Sequence, residues 1–185
     1  VSNSTQEKTR GAGLFSALRS PSALIKAALL AALSVVLGKY VPVLNIDWLR
    51  ISFENLPILL AGILLGPVIG AAVGITQDLI GCLLMGYAVN PFITLGAALV
   101  GAISGVMYRA PLQREKLRLP LAVLLAHAIG SMLVKSVGLV LWYGIPMGTI
   151  LLRIPTYLII AVLEYLIIRL LLANRAFRAQ IMKGN

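Results

Sequence analysis

The chain has 185 residues, of which 59% are hydrophobic and only 12% charged, far from the roughly 45–50% apolar and 25% charged residues of a soluble domain. Its net charge of +10 would point to nucleic acid in a soluble protein. Here the basic residues instead flank apolar runs long enough to cross a bilayer, the charge bias of a multi-span membrane protein, so no nucleic-acid partner is expected.

Residues 1–22 open with VSNSTQEKTRGAG and read as a polar cytoplasmic tail, without the charged-then-apolar-then-cleavage order of a secretory signal. A six-helix membrane domain is expected over 23–172, and a basic cytoplasmic tail over 173–185. The first span runs from Ala23 to Val41. Pro42 to Glu54 (PVLNIDWLRISFE) is too polar to lie in lipid. Asn55 to Gly86 is longer than one span needs, and Gly66-Pro67 breaks it. The break leaves a short second helix, Asn55 to Leu65, and a full third, Val68 to Gly86. The fourth helix spans Pro91 to Tyr108, the fifth Leu119 to Tyr143 and the sixth Gly148 to Leu172.

The eleven residues of the second helix rise roughly 17 Å, too little for a hydrocarbon core of about 30 Å. Part of the preceding stretch must then dip into the protein, where irregular backbone is tolerated only if buried or lining a cavity. Interrupted segments of this kind point to transporter binding sites, although a re-entrant helix without a ligand is an alternative.

Orientation follows from three basic clusters: Lys8, Arg10, Arg19 and Lys26; Arg109, Arg114, Lys116 and Arg118; and Arg169, Arg175, Arg178 and Lys183. They hold 12 of the 16 basic residues, and six spans place all three on one side. That side is cytoplasmic, with both termini, so the expected class is an all-α polytopic protein. Lys39, Arg50, Lys135 and Arg153 remain towards the outer half.

Small residues recur at spacing four: Ala23, Ala27 and Ala31; Ala28 and Ala32; Gly62, Gly66, Gly70 and Gly74; Ala97, Gly101 and Gly105. Such rows let backbones approach closely. Internal packing accounts for the glycine rows, whereas one alanine face of the first helix is open to an external partner.

Ionisable residues at membrane depth are candidates for function. Lys135 lies eight residues, or about 12 Å, below the outer end of the fifth helix, and Arg153 lies near the start of the sixth. Two such cations suit a dianionic ligand, with Arg50 and Lys39 reinforcing the field at the mouth. Alternatively Lys135 is neutralised by a carboxylate such as Asp78 while Arg153 reaches headgroups. Gln77 and Asp78 fall near the middle of the third helix, where they either read ring N–H groups or hold helices together. His127 and Glu164 lie at matching depth and read as a buried hydrogen-bonded pair. Phe53, Trp142 and Tyr157 are aromatic candidates for stacking on a flat ligand, and Asn90 is a polar group at the mouth.

One cysteine, Cys82, and one histidine exclude an internal disulfide and a cysteine-rich or multi-histidine metal centre. No metal or cofactor is expected. No P-loop, nucleophile elbow, HExxH or EF-hand pattern occurs, and no inverted repeat is evident. Catalysis is not expected, and any energy for transport comes from elsewhere.

The stretch LRISFENLPILLAGILLGPVIGAAVGITQDLIGCLLMGYAVNPFITLGAALVGAISGVMY, Leu49 to Tyr108, resembles the folate family of substrate-binding subunits (S-components) of energy-coupling-factor vitamin transporters. Length, span count, basic ends and the alanine-rich first helix match as well. The resemblance implies high-affinity vitamin capture, most simply of a folate, at the outer face of a bacterial plasma membrane. Delivery would follow through a separate module of one transmembrane coupling protein and two ATPases. It also implies that Ala28 and Ala32 form the A-x-x-x-A contact with the coupling protein. An S-component for another vitamin or precursor stays open. So do a membrane enzyme using Asp78, His127 and Glu164, and a structural assembly subunit.

Overall fold

The computed structural model describes residues 20–40, 44–46, 49–111 and 113–177, with backbone alone at 44–46, 49–51 and 149. Most of the two predicted tails lies outside the described residues.

Among the described residues, seven helices and one hairpin follow in chain order. Helix α1 is Pro21–Lys39 and starts on a proline, whose missing N–H is harmless in a first turn. The mixed stretch then forms two antiparallel strands, β1 (Leu44–Ile46) and β2 (Leu49–Ile51), pairing Leu44 with Ile51, Asn45 with Arg50 and Ile46 with Leu49. Among the described residues this hairpin is the exception to an otherwise helical fold. Next come α2 (Asn55–Leu65), α3 (Pro67–Met85) and α4 (Pro91–Arg109). Helix α5 is continuous over Glu115–Tyr143, a short α6 covers Met147–Leu151, and α7 is Arg153–Ala173. The sixth predicted helix thus divides at Leu152.

Among the described residues five helices, α1, α3, α4, α5 and α7, are long and apolar enough to cross a membrane. Leu29, Leu83 and Leu170 on three of them are largely exposed, as side chains facing lipid are. Helix α2 is the opposite case. Nine of its eleven residues are buried, and α1, α3 and α4 pack around it. A short apolar helix can lie at the centre of the bundle because its neighbours satisfy every face. It ends at Gly66, whose φ of 112° and ψ of 165° lie in a region essentially reserved for glycine. Pro67 then opens α3 in a new direction.

The predicted glycine rows meet each other. A methyl group on Gly101 would collide with the Gly70 carbonyl, and one on Gly74 with the Ala97 carbonyl, so α3 and α4 touch backbone to backbone. On α1 the two alanine rows separate: Ala23 and Ala31 are buried, whereas Ala28 and Ala32 face outward.

Within α5, His127–Val134 is π-helical, and the Lys135 N–H donates to the Gly130 carbonyl five residues back. Gly130 lies against the Gly96 carbonyl and Val100 of α4. The wide turn keeps α5 against α4 while directing His127, Ser131 and Lys135 inward, and all three are buried. Such π segments concentrate at functional sites.

Candidate functional site

Up-and-down chain direction gathers one set of helix ends: the ends of α1, α3 and α5 and the beginnings of α2, α4 and α7. Direct contacts confirm the grouping. The Ser34 hydroxyl of α1 donates to the Glu54 carbonyl at the start of α2. Lys39 lies over the Tyr87 ring, 5.9 Å from its centroid, just beyond α3. Asn90 accepts from the Phe92 N–H at 3.0 Å, capping α4, and its amide donates to the Gly138 carbonyl of α5 at 3.2 Å.

Lys135 is the central cation of this end. Its residue is only 5% exposed, its ammonium lies 3.6 Å from Glu54 Oε1, and it points at Asn55 Oδ1 3.5 Å away. The alternative partner read from the sequence, Asp78, is engaged elsewhere, accepting from the Thr94 hydroxyl at 2.6 Å. Glu54, Asn55 and Thr94 were not singled out by sequence reasoning. Glu54 is one of only six acids in the chain, and that scarcity was the available signal.

Arg153 is different. It is 6% exposed, its Nη2 donates to the Tyr157 hydroxyl at 3.0 Å, and the guanidinium carbon sits 5.2 Å from that ring's centroid. Its Nε and Nη1 are buried without a hydrogen-bond partner among the described residues, and no carboxylate pairs with it there. An isolated buried charge costs several kcal/mol, and Arg153 carries that cost without a compensating carboxylate among the described residues.

Deeper along the same faces, Tyr157 lies 6.0 Å from the His127 ring, centroid to centroid. His127 Nε2 and Glu164 Oε2 are 2.5 Å apart, both almost fully buried. The pair predicted from matching depths is therefore formed. His127 Nδ1, Ser131 Oγ and Glu164 Oε1 lack described partners, making the α5–α7 seam the polar stripe of the bundle.

The remaining predicted residues are distributed unevenly. Gln77 is buried on α3 and Phe53 is half-buried before α2. Trp142 is 53% exposed in the last turn of α5, in the interfacial position that tryptophan favours. Arg50 stands in β2 opposite Asn45, and its side chain lies outside the described residues. Among the described residues no three metal-ligating side chains cluster.

Comparison with solved structures finds two relatives of note. One is FolT bound with folic acid, with a TM-score of 0.66 and 26% identity, covering 79% of this chain and 89% of that one. The other is the S component of a bacterial ECF transporter, with a TM-score of 0.61 and 22% identity, covering 82% and 93%. The second is a likeness of fold alone. A search of curated proteins finds no match. The family model "ECF transporter, substrate-specific component" matches residues 22–175, nearly the whole described helical bundle, and the chain belongs to that family.

Proposed function

We propose that the chain captures a folate-type vitamin at the outer face of a bacterial plasma membrane and delivers it by joining a separate ATP-driven module. In this reading α2 is the sixth, incomplete crossing, completed by the Ser52–Asn55 entry, of which Ser52 and Asn55 are buried. The termini and the three basic clusters face the cytoplasm. Residues 23–172 form the membrane domain between two cytoplasmic tails.

The observation that carries the proposal is Arg153, buried with two guanidinium nitrogens unsatisfied among the described residues. A carboxylate accepts from an arginine through two parallel bonds, and the glutamyl end of a folate supplies carboxylates. Tyr157 orients the guanidinium, and Lys135 is the second cation on offer. Gln77, Asp78 and Asn90 supply acceptors for ring N–H groups, while Phe53 and Trp142 offer aromatic surface at the mouth with Arg50. The likeness to a structure holding folic acid supports this choice of ligand. The helix-one face containing Ala28 and Ala32 is assigned to the transmembrane coupling protein, which would link the chain to two ATPases. Family membership favours binding over catalysis, and the closed His127–Glu164 pair offers no open acid–base site.

Calorimetric titration of the purified protein in detergent with a panel of vitamins tests the reading. Tight one-to-one binding of folic acid is expected. Tight binding of a different vitamin with none of folic acid would retain the family and remove the substrate.

A further inference from the structure

The two buried cations at the ligand-binding end are not equivalent: Arg153 has no carboxylate partner among the described residues, whereas Lys135 faces Glu54. We infer that Glu54 is a specificity-determining residue, a resident carboxylate that occupies Lys135 until a second anionic group of the ligand displaces it. This inference rests on the folate-type reading of the site.

The geometry is that of an exchangeable pair. Charge-assisted N–H···O bonds run to about 2.7–2.9 Å, yet the Lys135 ammonium stands 3.6 Å from Glu54 and 3.5 Å from Asn55. A group with three donors is thus held loosely by these two acceptors, and a ligand carboxylate at ordinary distance would hold it better. The partners also differ in freedom. The Lys135 side chain is 7% exposed and the Glu54 side chain 19%, so Glu54 is the one nearer solvent. Its backbone is fixed by Ser34, and its side chain lies against Gly38, where a Cβ would strike it. Exchange therefore proceeds by rotation of the Glu54 side chain about a fixed backbone.

A ligand with one carboxylate satisfies Arg153 and leaves the Lys135–Glu54 pair intact. A ligand with two must expel Glu54 to reach Lys135. Glu54 thereby keeps Lys135 compensated in the empty protein and reduces the advantage of the second carboxylate.

Dissociation constants for folic acid and for its γ-monoamide, pteroylglutamine, which keeps the rest of the ligand and carries one carboxylate in place of two, test this. Glu54→Gln is expected to raise the preference for folic acid over pteroylglutamine about tenfold. In a Lys135→Gln background the same change leaves the preference unaltered. Should Glu54→Gln fail to fold, Glu54→Asp, with its shorter reach to Lys135, is expected to raise the preference severalfold. An unchanged preference, or equal weakening of both ligands, overturns the exchange and makes the pair a permanent brace. Absence of folic acid binding by the wild-type protein overturns the folate reading and this inference together. Tight wild-type binding with an unchanged preference overturns the exchange alone.

Discussion

Buried polar side chains on α5 and α7 divide into those with partners among the described residues and those without. His127 and Glu164 satisfy one another on one side each, and neither can reach water. Removing one partner of such a pair typically costs about 3–5 kcal/mol, because the other is left buried and unpaired. His127→Ala is therefore expected to lower thermal stability in detergent markedly, and His127→Ala with Glu164→Ala to cost less than the sum of the single changes. Additive losses would mean that the pair is not coupled. Tyr157→Phe removes the hydroxyl that accepts from Arg153 while keeping the ring. A hydrogen bond to a charged group contributes roughly 1.5–3 kcal/mol, so ligand binding is expected to weaken about tenfold or more, read by calorimetry. His127 and Glu164 could be paired from the sequence because depth is countable along two antiparallel helices. Glu54 could not be matched to Lys135 in that way, because it lies in a connection whose return path no helical count predicts.

Helices were legible wherever an apolar run met a breaker. Gly66-Pro67 fixed the end of α2, and Pro91 the start of α4. Two elements were not legible. The hairpin has strands of only three residues and no Asn-Gly or Asp-Gly turn. The π-helical stretch of α5 contains nothing that distinguishes HAIGSMLV from an α-helix, since it reflects the close fit of Gly130 against Gly96. The glycine rows were legible as packing surfaces, and they carry a sharp prediction. Gly101→Leu places a side chain where the Gly70 backbone sits and is expected to abolish folded, monodisperse protein in size-exclusion chromatography. Gly148→Leu, at a position with open space around it, is expected to behave as wild type. Equal tolerance of both would mean that α3 and α4 are not in backbone contact.

At the scale of the molecule, α1 presents Ala23 and Ala31 to the core and Ala28 and Ala32 to the outside. The proposed coupling contact uses a surface that the ligand site does not. Ala28→Trp is accordingly expected to leave vitamin binding intact while eliminating uptake in cells carrying the coupling module, and surviving uptake would place the contact elsewhere. In the proposed reading Arg153, buried without a described counter-anion, receives one from the ligand. Titrating folic acid into wild-type protein and Arg153→Ala, with thermal unfolding of both in the absence of ligand, tests it most directly. Affinity is expected to fall about a hundredfold, the equivalent of roughly 2.8 kcal/mol, while the empty variant is as stable as wild type or more so. Unchanged affinity with a destabilised empty protein would make Arg153 a structural residue and contradict the account.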